Sequence, residues 1–135
     1  MEVIVKDKGF RSEIDKSRNI MLAKQTGFVG TEELKSYWTK TFDAILHYKV
    51  EKLIVDSTES KIMTAETKHW FETELFPSVM KRKASGKLDI ARVESTDTFA
   101  KLSANAINKM ANEIPNFKMV TFKSMEEAKA WLEVE

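Results

Sequence analysis

The chain has 135 residues, 42% of them apolar, with 22 Lys and Arg against 21 Asp and Glu and no cysteine. Near neutrality leaves no overall field to draw it onto nucleic acid or an anionic membrane, so any such partner would need a local patch, and nucleic acid is not expected. The missing cysteine excludes disulfides, thiol catalysis and the common structural zinc sites, and a single domain of this length needs none of them to bury its core.

The first ten residues carry charges and lack the apolar stretch of a signal peptide, and no run approaches the roughly 20 residues of a membrane span. The expected location is the cytoplasm. Val3-Ile4-Val5, Phe10 to Asp15 and Ile20 to Ala23 read as three short antiparallel strands, and alternation places Phe10, Ser12 and Ile14 on the buried face of the second. Gly27 and Gly30 close this part.

From Thr31 the period changes. Leu34, Tyr37, Trp38, Thr41, Phe42 and Ile45 line one face of a helix, with Thr31 as its expected N-cap. Lys52 to Asp56 is an apolar run suited to a central strand covered on both faces. A second helix, capped by Thr64, carries Trp70, Phe71, Leu75 and Val79, and Pro77 predicts a kink or break near Phe76. Leu88 to Val93 is a strand, and Thr98 to Asn112 a helix expected to turn Phe99, Leu102, Ala106 and Met110 inward. Phe117 to Phe122 is the last strand. Ser124 and Glu127 form a capping box for a closing helix that buries Met125, Ala128, Trp131 and Leu132. The order β-β-β-α-β-α-β-α-β-α predicts one α/β domain over residues 1–135. Its single mixed sheet has an antiparallel N-terminal edge, and four helices pack on it.

The strand ending Leu53-Ile54-Val55-Asp56, the helix with Trp70-Phe71, the strand Ile90-Ala91-Arg92-Val93 and the ending Phe122 to Leu132 resemble the SpoIIAA-like proteins. These belong to the STAS group, whose fold is related to the CRAL-TRIO lipid-transfer domains. The resemblance spans nearly the whole chain and implies a binding or regulatory role rather than catalysis. In anti-sigma-factor antagonists of that group an Asp-Ser-Ser-Gly-like turn carries a phosphorylated serine. The corresponding stretch here, Met63 to Thr67, has neither serine nor glycine, so no phosphorylation site is carried over.

A near duplication, Val55-Asp56-Ser57-Thr58 and Val93-Glu94-Ser95-Thr96, stands beyond the ends of two predicted strands, where open α/β sheets collect ligands. Asp56, Ser57, Thr58, Glu94, Ser95 and Thr96 are therefore candidate ligand- or partner-binding residues, although Ser, Thr and Asp also serve as ordinary strand ends and caps. Glu66 and His69 share a helical face, but one Glu-x-x-His motif in an α/β chain makes no metal site. His47 is equally alone. The chain has no nucleophile elbow, dinucleotide turn, phosphate loop or zinc motif, so no catalytic residue and no cofactor are called for. Lys81-Arg82-Lys83 with Lys87 is the densest basic cluster, and a solvated helix end accounts for it. The aromatic set Tyr37, Trp38, Phe42, Trp70, Phe71, Phe76 and Phe99 reads as core. Its sharper reading is an apolar pocket beside Pro77, lined by Trp38 and Trp70.

These readings lead to a non-enzymatic domain that binds a partner protein or a small ligand. The alternatives are a carrier or sensor of a lipid or other small apolar molecule, and a small enzyme using the rim at Asp56 and Glu94. A dry pocket of about a few hundred Å³ favours a carrier, and a closed core favours protein interaction, including a homodimer through an exposed apolar face.

Overall fold

The computed structural model describes residues 1–82 and 86–134. Lys83, part of the basic cluster singled out in the sequence, lies outside the described residues. Three strands open the chain: β1 (Glu2–Asp7), β2 (Phe10–Asp15) and β3 (Ile20–Gly27), paired antiparallel. Alternation in β2 is obeyed, with Phe10, Ser12 and Ile14 buried. The β1–β2 turn requires its glycine: Gly9 has φ +78°, and a Cβ there would stand 3.0 Å from the Thr26 carbonyl oxygen.

Three parallel strands follow, β4 (Lys52–Ser60), β5 (Leu88–Val93) and β6 (Phe117–Phe122). They extend the sheet in the order β1-β2-β3-β4-β5-β6, with β3 to β6 mutually parallel. The architecture is thus the expected α/β one, a single mixed sheet with an antiparallel N-terminal edge. Parallel neighbours need crossovers, and these are helical. They are α1 (Thr31–His47), a long bulged helix over 65–82, and α4 (Thr98–Asn112). Their apolar faces join one core with Phe10, Met21, Leu53, Leu88, Ile90 and Met119 on the same side of the sheet. The last helix, α5 (Met125–Leu132), packs on the opposite side, where Ala128 and Leu132 meet Ile20, Ile54, Ala91 and Val93. This explains why β4 and β5 read as continuous apolar runs: both of their faces are covered.

Two expected caps hold and three local expectations are refined. Thr31 is not the cap of α1: Gly30 occupies that position without a side-chain bond, and the Thr31 hydroxyl instead meets the Thr64 hydroxyl at 2.7 Å. Thr64 does cap α2 (Ala65–Trp70), its oxygen accepting the Thr67 amide at 3.0 Å. Ser124 likewise caps α5 by accepting the Glu127 amide. Pro77 produces a bulge rather than a break. A π-helical turn, Phe71–Leu75, joins α2 to α3 (Phe76–Arg82), and the Phe76 amide donates to the Phe71 carbonyl five residues back. The wider turn relieves the clash that a proline ring makes with the carbonyl four residues before it in a regular helix.

The third refinement concerns α4. Phe99 and Leu102, expected inside, are 67% and 64% exposed, while Ala100, Ser103, Ile107 and Ala111 face the sheet. Both sets are valid helical stripes one residue apart, so periodicity alone does not choose between them. The chosen stripe places its smaller members, Ala100 and Ser103, over the ends of β4 and β5.

Candidate ligand pocket at the carboxyl ends of the parallel strands

Those small residues leave a cavity of about 70 Å³ between α4 and the sheet. Its floor is the helix-covered face of the parallel strands near their carboxyl ends, with Val55 and Ser57 from β4, Ile90 and Arg92 from β5 and Met119 from β6. Trp38 and Phe42 of α1 and Phe71 and Phe76 of the bulged helix close it from the side. The π turn has a direct role here, because it sets the phase between Phe71 and Phe76, whose rings pack 5.5 Å apart along this wall. An aromatic chain continues from it: Trp38 lies 6.2 Å from Phe71 and 5.3 Å from Phe10, which stacks on Tyr37 at 5.1 Å.

The polar centre of the pocket is Arg92. Alternation along β5 places its side chain on the same face as Leu88 and Ile90, within the apolar layer, and the residue is only 4% exposed. Its Nη2 donates to Thr121 Oγ1 at 3.2 Å, and that oxygen also accepts from Asn108 Nδ2 at 2.6 Å. Arg92 Nε is buried and has no hydrogen-bond partner among the described residues. Burial pulls the guanidinium pKa down to about 10, opposed by nearby Glu94, so the group stays cationic at neutral pH. A smaller recess of about 20 Å³ adjoins the cavity and shares Ser57, Ser60, Arg92, Ala100 and Ala104 with it. Glu94 borders that recess, but its carboxylate lies 3.6 Å from Lys101 Nζ. Among the described residues no acidic side chain lines the larger cavity, whereas Arg92 and Lys61 do.

The duplicated rim does not assemble as its sequence suggests. In the parallel register Val55 pairs with Arg92 and Asp56 with Val93, so the two copies are offset by one residue. A one-residue offset reverses the facing of every side chain. Asp56 therefore lies on the α5 side of the sheet, 4.0 Å from Lys24 Nζ, where its Oδ1 accepts from the Thr58 amide and hydroxyl. Glu94 lies on the other side, beside Arg92. Ser95 is buried and structural, donating to the Ser60 carbonyl at 2.8 Å and accepting the Asp97 amide at 3.0 Å. The Thr96 amide approaches the Thr58 carbonyl at 3.4 Å, tying the two strand ends together. Of the six rim residues, Ser57, Glu94 and Ser95 reach the pocket and its recess.

The two tryptophans also part company. Trp38 lines the cavity, but Trp70 borders a separate groove of about 310 Å³ between α1 and the bulged helix, and Phe71 takes the inward place. Glu66 and His69 are exposed on α2, and among the described residues no three Asp, Glu or His side chains gather as a metal site. Arg82 of the basic cluster is paired with Asp43 at 2.7 Å. Arg92 went unnoticed in the sequence as anything but a strand residue. Its signal was present, since alternation from Leu88 and Ile90 leads to Arg92 on the same face.

Among the described residues no helix is long and apolar enough to cross a membrane. No protein-family model matches the chain, and no curated protein matches it.

Proposed function

We propose that this chain is a non-enzymatic binding domain that holds a small ligand in the pocket beneath α4. The observation that carries this reading is the orientation of α4. The helix turns Phe99 and Leu102 to solvent and Ala100 and Ser103 to the sheet, leaving room at the carboxyl ends of parallel strands, where open α/β sheets bind ligands. The resemblance to SpoIIAA-like proteins of the STAS group supports a binding role over catalysis. The opposed placement of Asp56 and Glu94 supports it too, because two carboxylates on opposite sides of a sheet do not act on one substrate. A cavity of about 70 Å³ is roughly half of one that takes up benzene, which favours a compact ligand over a lipid chain.

Native mass spectrometry of the purified protein, joined to tryptophan fluorescence reporting from Trp38, tests this directly. A retained or added small molecule is expected to bind the natural chain. Ala104→Leu is expected to fill the space, keep the fold and abolish the response. Bare mass together with unchanged fluorescence across a panel of small polar and apolar molecules would remove the reading. The exposed pair Phe99 and Leu102, one helical turn apart, supports a second reading in which a partner protein covers α4. Light scattering across a concentration series, comparing the natural chain with Phe99→Ser/Leu102→Ser, separates self-association from a monomer.

A further inference from the structure

Arg92 is a cation in an apolar layer, and among the described residues no carboxylate forms an ion pair or hydrogen bond with it. Its residue is 4% exposed, its Nη2 has one threonine hydroxyl, and its Nε has nothing among the described residues. Buried arginines are ordinarily satisfied by a carboxylate in a two-point pair, and one left short carries a desolvation cost that a single neutral hydroxyl offsets only in part. Glu94 favours the charged form of Arg92 through space, but its carboxylate is 3.6 Å from Lys101 and forms no ion pair with Arg92 among the described residues. Arg92 borders two adjoining spaces: Glu94 lines the small recess, whereas the larger cavity has no acidic lining residue among the described residues and carries Ile90, Trp38 and Phe71 in its apolar lining. A charge of one sign and a greasy wall meet in one small space.

We infer that the ligand is a small organic monoanion, a short-chain carboxylate whose head group pairs with Arg92 and whose apolar end lies against Ile90, Trp38 and Phe71. This rests on the pocket reading above and names the chemistry of its occupant. The planar guanidinium matches a carboxylate edge to edge. A doubly charged phosphate would call for a second buried cation. The other cation at the cavity, Lys61, has its side chain 58% exposed and stands 3.9 Å from Asp97, so one negative charge is what the interior can neutralise. The volume of about 70 Å³ limits the apolar end to a few carbons.

The experiment is calorimetric titration of the full chain with butyrate, with its neutral isostere butyramide, and with inorganic phosphate. Butyrate is expected to bind roughly 10- to 100-fold more tightly than butyramide, the range for a hydrogen bond to a charged group. Arg92→Met is expected to erase that difference while melting at or above the temperature of the natural chain, because an unpaired buried charge has been removed. Should that variant fail to fold, displacement of the Arg92 Nε–Hε resonance of the natural chain by butyrate and not by butyramide decides the matter. Equal binding of butyrate and butyramide would overturn the anion inference and leave the pocket standing. Tighter binding of phosphate than of butyrate would overturn the carboxylate in favour of a free phosphate. Binding of none of the three, with no ligand retained from expression, would remove the pocket reading itself.

Discussion

Tyr37 donates its hydroxyl to Asp7 Oδ2 at 2.7 Å, fastening α1 to the end of β1. The bond works on both partners. Asp7 is held below its ordinary 3.8, first by the Tyr37 hydroxyl and then by the Lys8 amide. The Tyr37 phenol is pushed up to about 12, chiefly by the same hydrogen bond. The Asp7 contribution is therefore present above about pH 4 and lost as pH falls through the lowered value. The Tyr37 contribution is complete below about pH 10 and lost as pH rises towards 12. Melting curves of the natural chain and Tyr37→Phe are expected to lie furthest apart between those limits and to converge outside them. A constant gap across the whole range would assign the difference to packing alone. At this scale the sequence was informative where the cause is local. Thr64 and Ser124 were identifiable as caps because a hydroxyl three residues before an amide needs no other part of the fold. The Asp7–Tyr37 bond and the Thr31–Thr64 contact join residues about thirty positions apart, and no pattern in the chain marks them.

Helix α4 is the element whose facing the periodicity misjudged. Phe99, Leu102, Ala106 and Met110 make the more apolar stripe, yet the helix rolls so that Ala100, Ser103, Ile107 and Ala111 are buried and Phe99 and Leu102 face solvent, while Ala106 is half-buried and Met110 still packs against the core. Phe71 and Phe76 wall the space above the carboxyl ends of β4 and β5 from the side, and the small residues that the roll places beneath the helix leave that space open as the cavity. Substitution makes the roll measurable. Ile107→Ala is expected to cost about 2–4 kcal/mol by denaturant unfolding, as a buried large-to-small change. Phe99→Ser is expected to stay within about 0.5 kcal/mol, as an exposed one. The reverse order would restore the facing predicted from hydrophobicity alone. In the bulged helix the proline was legible and its consequence was not. A proline announces a lost hydrogen bond, but the neighbouring aromatic packing decides whether the chain breaks or widens by one residue.

Across the whole molecule, the sheet separates two cores of unequal size. Three crossover helices cover one face of the sheet, and α5 alone packs on the other, over the parallel strands. The centre of the molecule is then β4 and β5, which have neighbours on both edges and cover on both faces. β1 is an edge strand, mostly exposed, with a register irregularity between Val3 and Val5. Native-state hydrogen exchange is expected to find the slowest amides in Leu53 to Val55 and Ile90 to Arg92, with β1 opening first by local fraying. Protection of β1 equal to that of β4 would mean that the sheet unfolds as a single unit. The element order, the parallel sheet and its antiparallel edge were determined by the sequence itself. Period-two and period-3.6 patterns, caps and turn residues act over a few positions and read the same in any context. Tertiary structure alone decided which stripe α4 buries, on which side of the sheet Asp56 and Glu94 stand, and that Arg92 lies covered without a carboxylate ion pair among the described residues. Each of these depends on register and packing between segments far apart in the chain. A shift of one residue, invisible to local pattern, moves a side chain from one face to the other.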